Sequence, residues 1–148
     1  MSNKIKKTKL GFTVIELIIV ISIVGMVASA SFAMFGENRK KAVLDDAQAS
    51  VINALEEAQN RAATGFGTTT TTKHGVWITT NGFAICGDTT STCASSTQFT
   101  NVTTNWPDLF ISFNRLNGKP NTASEIILVN PSGSMYITVT EGGLILPR

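Results

Sequence analysis

The chain has 148 residues, a formal net charge of +2, 43% hydrophobic and 15% charged residues, which suits one anchored helix plus one small domain. Four of its twelve Lys and Arg residues (Lys4, Lys6, Lys7 and Lys9) lie in the first eleven positions; the remaining eight face ten Asp and Glu, a balance of −2. The basic balance therefore belongs to the N-terminal segment. It gives no footing for nucleic-acid binding, which needs a basic patch on the folded domain.

After the basic head, residues 17–35 run for 19 positions without a charge or a proline. A run of this length crosses a bilayer as a helix, since the hydrocarbon core takes about 20 apolar residues. The lysine-rich head belongs on the cytoplasmic side, so the C-terminal part faces outward. Gly36 and the charged group Glu37, Arg39, Lys40 and Lys41 mark the exit. A cleavable signal peptide is the first competitor: its apolar region spans ~7–15 residues before a small-residue site. Ala28-Ser29-Ala30 loosely imitates such a site, but the run is longer and a signal peptide has no use for Glu16. An acid at the centre of a membrane helix costs roughly 2.5–3.5 kcal/mol. Glu16, near the helix start, either snorkels toward the interface or meets a partner charge in apolar surroundings.

The stretch GFTVIEL resembles the processing site of type IV pilin-like prepilins: a basic leader, then Gly11, then Phe12-Thr13-x-x-Glu16 opening an apolar helix. The resemblance implies that a membrane peptidase cuts between Gly11 and Phe12 and that the new Phe12 amine is N-methylated. It further implies that Glu16 pairs with the Phe12 amine of a neighbouring subunit during assembly. Buried together, an ammonium and a carboxylate cost less than either alone, and a lone buried charge is severely penalised. The partners implied are other pilin or pseudopilin subunits, the prepilin peptidase and methyltransferase, an inner-membrane assembly platform and, before assembly, membrane lipid. The chain would sit in the cytoplasmic membrane by a single pass with its head outside, and then in a filament. The division expected is a leader over residues 1–11, a transmembrane and assembly helix over 12–35, an amphipathic helix over 36–64 and a β-rich head over 65–148.

From residue 43 the pattern becomes amphipathic. Leu44, Ala47, Val51, Leu55, Ala58 and Ala62 form one stripe at helical spacing, with Asp45, Asp46, Glu56, Glu57 and Arg61 mostly off it. The stripe predicts packing against a sheet. Thr64-Gly65-Phe66-Gly67 supplies the stop, glycine being favoured just past a helix end. No proline occurs before Pro107, so a single helix from Phe12 to about Thr64 is expected. Gly25 and Gly36 are the places where it would soften. The five threonines 68–72 read as a solvated connector.

Beyond that the chain reads as β. Residues 76–80 and 83–86 flank Asn81-Gly82, a hairpin signal because both central residues of a type I′ turn need positive φ. Residues 109–113, 125–129, 135–140 and 144–146 are the further strands, with turns at Asn117-Gly118 and residues 130–134. Helix first and strands later gives an α+β fold, an antiparallel sheet packed on the helix stripe.

This half resembles the GspH/FimT-like minor pilins, the H-type pseudopilins of type II secretion and their pilus counterparts. The stretches that carry the likeness are VINALEEAQNRA, HGVWIT, ISFNRLNGKP before EIILVN, and MYITVTEGGLI. Some relatives end in a basic Gly-Arg-x-Arg-like segment linked to DNA capture. Here the end is GGLILPR, with Arg148 its one basic residue. Cys86 and Cys93 enclose six residues. Outside the cytoplasm, where disulfides persist, the pair predicts a disulfide that restrains a loop rather than holding the fold; free thiols are the alternative.

Two cysteines and one distant histidine do not make a zinc set, and no Gly-x-Ser-x-Gly or P-loop pattern occurs. No cofactor is implied. His74 is expected at the surface or in a loop beside a strand edge, Asp88 in the cysteine loop, Asp108 isolated, and Trp77 and Trp106 as core or interface aromatics. Three readings follow: a non-enzymatic filament subunit, minor or major; an adhesive or DNA-uptake tip protein using Trp106, Arg115 and Lys119; and a membrane-anchored enzyme, for which no constellation speaks.

Overall fold

The computed structural model describes residues 12–65, 73–87 and 93–148, without the side chains of 30–34, 73 and 95. The leader with Gly11, the stretch 66–72 with its threonines, and Asp88 lie outside the described residues. The chain divides into two compact units, Met1–Glu37 and Asn38–Arg148.

Helix α1, Val14–Thr64, is continuous through Gly25 and Gly36. In the first unit its described apolar side chains point into open space: Val14, Ile15, Leu17 and the residues up to Val27 are exposed in every direction of the helix. A helix apolar all round is at rest only inside a larger core or a membrane. Among the described residues no helix is long and apolar enough to cross a membrane. The crossing expected over residues 12–35 includes 30–34, whose side chains lie outside the description.

In the second unit the amphipathic stripe does what its spacing predicts. Leu44, Ala47, Val51, Leu55, Ala58 and Ala62 are all buried, joined by Ala54. The helix stops at Thr64 because Gly65 takes a left-handed φ of 67° and its N–H returns to the Ala62 carbonyl, 3.3 Å away, the conformation in which glycine carries no Cβ penalty.

Eight strands follow: β1 Lys73–Thr79, β2 Gly82–Cys86, β3 Cys93–Gln98, β4 Thr103–Thr104, β5 Asp108–Asn114, β6 Ser124–Asn130, β7 Gly133–Val139 and β8 Ile145–Pro147. They form two antiparallel four-stranded sheets rather than the one expected, ordered β3-β2-β1-β5 and β4-β6-β7-β8. The reason lies at the free edge of β5. After Asn114 the chain turns through Leu116 (φ 76°) and Gly118 (φ 61°) and folds back. The Asn114 N–H then donates to the Lys119 carbonyl at 2.8 Å and Asn121 N–H to Ser112 at 2.7 Å. That edge is occupied, so β6 opens a second sheet. Thr104 stitches the two: its N–H donates to the Thr80 carbonyl at 2.9 Å and its hydroxyl to Thr79 at 3.0 Å.

One core serves the helix and both sheets. Val76, Ile78, Phe83, Ile111 and Phe113 from the first sheet, and Ile126, Leu128, Ile137 and Val139 from the second, are buried with the helix stripe. They alternate along each strand with outward residues, as a pleated strand requires. Gln59 closes one end, donating from Nε2 to the carbonyls of Gly118 (3.0 Å) and Gly143 (2.8 Å).

Two readings need correction. The β1–β2 hairpin is real, but Thr79 stands opposite Gly82, so Thr80 and Asn81 make the loop. Neither Asn81 nor Gly82 has positive φ. Gly82 is glycine for another reason: a Cβ there would lie 2.3 Å from the Thr97 carbonyl oxygen on β3, closer than any side chain tolerates. His74, expected at the surface, is buried. The strand begins at residue 73, three residues before the expected start, and period two places His74 on the face of Val76 and Ile78, opposite Phe113.

Candidate functional site

The N-terminal motif folds as a capped helix start. Thr13 precedes α1; its Oγ1 accepts from the Glu16 N–H at 3.3 Å and its carbonyl from the Leu17 N–H at 3.2 Å. Thr13 is therefore the N-cap, and Glu16 sits three residues later, in the first turn. This is the Thr-x-x-Glu order of a capping box, in which the threonine satisfies one of the helix's orphan donors. A carboxylate in the first turn also meets the positive end of the helix dipole. The role of Thr13 was legible in that spacing but is not part of the reading above.

Among the described residues of the apolar stretch, one side chain carries a charge. Ser22 Oγ donates to the Ile18 carbonyl at 2.7 Å and Ser29 Oγ to Met26 at 2.8 Å, so both hydroxyls are satisfied inside the helix and suit apolar surroundings. The Glu16 carboxylate, by contrast, is exposed and has no hydrogen bond or ion pair among the described residues. Phe12, next to it in sequence, is 82% exposed. The arrangement presents one charge on an apolar rod, free to take a cationic partner from elsewhere.

The head disperses the other candidates. Trp77 Nε1 donates to Asp108 Oδ1 across the β1–β5 ladder, which gives Asp108 a structural role. Trp106 is 40% exposed and anchored by its Nε1 to the Glu125 carbonyl at 2.8 Å. Arg115 lies against the C-terminus of α1, where a Cβ on Gly65 would meet its Nε at 3.3 Å; a cation there complements the helix dipole. Lys119 is exposed in the turn after β5. Arg115 and Lys119 thus share the turn after β5, and Trp106 lies before that strand. An open groove on α1 is lined by Asn53, Glu56, Glu57, Asn60, Arg61 and Thr64, with Arg61 paired to Glu57. Among the described residues no three His, Cys, Asp or Glu side chains gather to hold a metal.

Cys86 and Cys93 are joined by a disulfide across the β2–β3 ladder, seven residues apart. Closing so short a loop contributes about 2 kcal/mol in the chain-entropy account. Replacing both cysteines by serine should lower head stability by about that amount, read as a shifted denaturation midpoint, with the fold retained. Loss of the folded head would show that the bond does more than restrain its loop.

Residues 6–32 match the family described as the prokaryotic N-terminal methylation motif. This is the type IV pilin-like prepilin signal, a segment processed by prepilin peptidase in proteins that assemble with other pilins. It covers the Thr13 cap and Glu16 but none of the head. No curated protein and no solved structure matches the chain.

Proposed function

We propose that this chain is a non-enzymatic minor pilin or pseudopilin of the GspH/FimT-like kind, a structural subunit of a type IV pilus-like filament or a type II secretion pseudopilus. Peptidase cleavage between Gly11 and Phe12 frees the Phe12 amine, which is then N-methylated. Before assembly the apolar helix lies in the membrane; on assembly it packs among the helices of neighbouring subunits. The observation that carries the reading is the exposed Glu16 carboxylate, without a partner among the described residues, at the head of the apolar stretch of α1 and inside the methylation motif. In apolar surroundings a lone carboxylate is severely penalised and a paired one far less so, so Glu16 sets the register by seeking the amine of the subunit next door.

The minor, H-type assignment is supported by where its stretches fall. VINALEEAQNRA lies on the buried stripe of α1, HGVWIT on β1, ISFNRLNGKP on β5 and the turn that occupies its edge, EIILVN on β6, and MYITVTEGGLI on β7 and the approach to β8. Those are the elements that build the two-sheet head. Mass spectrometry of the N-terminal peptide from isolated filaments tests the reading. The expected species begins at Phe12 and carries one added methyl group; an intact leader on assembled protein, or a different first residue, would overturn it.

A further inference from the structure

We propose that Arg39, Lys40 and Lys41 form a docking collar for anionic phospholipid headgroups, holding the helix at a set depth before assembly. The inference rests on the membrane-crossing reading above and adds to it a lipid class and the residues that read it. All three side chains are exposed, and among the described residues none is in a hydrogen bond or ion pair. The positive-inside bias disfavours three cations on the outer side, so their presence there calls for a counter-charge.

Depth and angle identify the partner. At about 1.5 Å of rise per residue, residues 39–41 follow Phe35, the last of the apolar run, by roughly 6–9 Å. The headgroup layer extends about 5–8 Å beyond each side of the hydrocarbon core. The cations therefore fall at the phosphate level when the apolar run fills the core. Consecutive residues are also turned by about 100° on a helix, so the three cations cover a wide arc. The head reaches the helix here through Asn130, whose Nδ2 donates to the Lys40 carbonyl at 2.7 Å, but the three side chains stay exposed; headgroups can meet all three, whereas a docked protein helix meets one stripe. Glu37, in the same layer, offsets one charge and leaves a net of two. Asp45 and Asp46 lie a further turn outward, about 6–8 Å beyond Lys41, and are carried unchanged by both proteins compared below.

The test uses the full chain. Wild type and the triple variant Arg39→Gln, Lys40→Gln, Lys41→Gln are transferred from detergent into vesicles of neutral phosphatidylcholine or of phosphatidylcholine mixed with phosphatidylglycerol, and bound protein is measured by flotation. The leader lysines contribute equally to both proteins, so the comparison isolates the collar. Wild type should partition roughly 150-fold more strongly than the variant into the anionic vesicles at low salt, the worth of the three charges removed. The gap should close at high salt and be absent on neutral vesicles. Equal partition of both proteins into anionic vesicles overturns the collar. Equal partition together with loss of the variant from filaments overturns it in favour of a subunit contact. Competition by soluble glycerophosphoglycerol overturns it in favour of a free phosphate site. Failure of both proteins to enter neutral vesicles refutes the membrane-crossing reading itself, a separate result.

Discussion

Replacing Glu16 with glutamine is expected to remove the protein from filaments while leaving its head folded. The substitution is chosen because two roles meet at this residue. As the third residue after the Thr13 cap it gives its backbone N–H to the Thr13 hydroxyl, a bond that glutamine keeps. As a carboxylate it is the exposed charge of an apolar helix without a partner among the described residues. Glu16→Gln keeps the first role and deletes the second. Under the proposed function the deletion leaves the Phe12 ammonium of a neighbour buried without a counter-ion, which costs about 3–5 kcal/mol. Since each 1.4 kcal/mol is a tenfold change in equilibrium, incorporation beside wild-type subunits should fall at least 100-fold, roughly. The measurement is the ratio of variant to wild-type protein in sheared filaments and in whole cells, by quantitative mass spectrometry. Thr13→Ala is the companion: it loses the cap at about 1 kcal/mol and should reduce incorporation far less. Undiminished incorporation of Glu16→Gln would remove the charge-pairing mechanism.

Phe113→Ala should destabilise the head by about 3–5 kcal/mol, the usual cost of truncating a fully buried phenylalanine. Phe113 is the largest side chain with no exposure at all. It stands opposite His74 on β1 and bridges to Pro120 in the segment that folds back over β5. Its removal opens a cavity where the helix stripe, the first sheet and that segment meet, a place with little freedom to collapse. Against a typical total of 5–15 kcal/mol the loss is large, and thermal unfolding should come roughly 10–20 °C earlier. Phe110→Ala is the control. Phe110 points to the opposite face of the same strand and is half-buried, so its loss should cost clearly less. Equal losses at 110 and 113 would mean that the core does not run through the inner face of β5.

How much of this was legible in the sequence depended on the distance over which each signal acts. The polar edge strand β3 was missed because CASSTQ has no apolar alternation; it becomes a strand through its ladder with β2. Polar residues on an edge are what such a strand needs to avoid pairing with other chains. His74 was misplaced because the strand was started at Val76, where the apolar pattern begins, rather than at Lys73, where pairing with Asn114 begins. Asn81-Gly82 was read by its strongest local precedent, and the closeness of the Thr97 carbonyl overruled it. The second sheet was invisible for a related reason: periodicity marks strands, but what separates β5 from β6 is two backbone hydrogen bonds, from the Asn114 N–H to the Lys119 carbonyl and from the Asn121 N–H to the Ser112 carbonyl.

The sequence alone determined one long helix ending at about Thr64, its buried stripe, its glycine stop and the N-terminal motif; the structure starts that helix at Val14, two residues after the expected Phe12. Each of these rests on residues at most a few turns apart, where spacing, capping and φ preference act directly. Only the tertiary structure decided which strands pair, that there are two sheets, that His74 is buried and that Glu16 has no partner among the described residues. Those outcomes depend on backbone and side chains brought together from far along the chain, whose meeting no local pattern encodes.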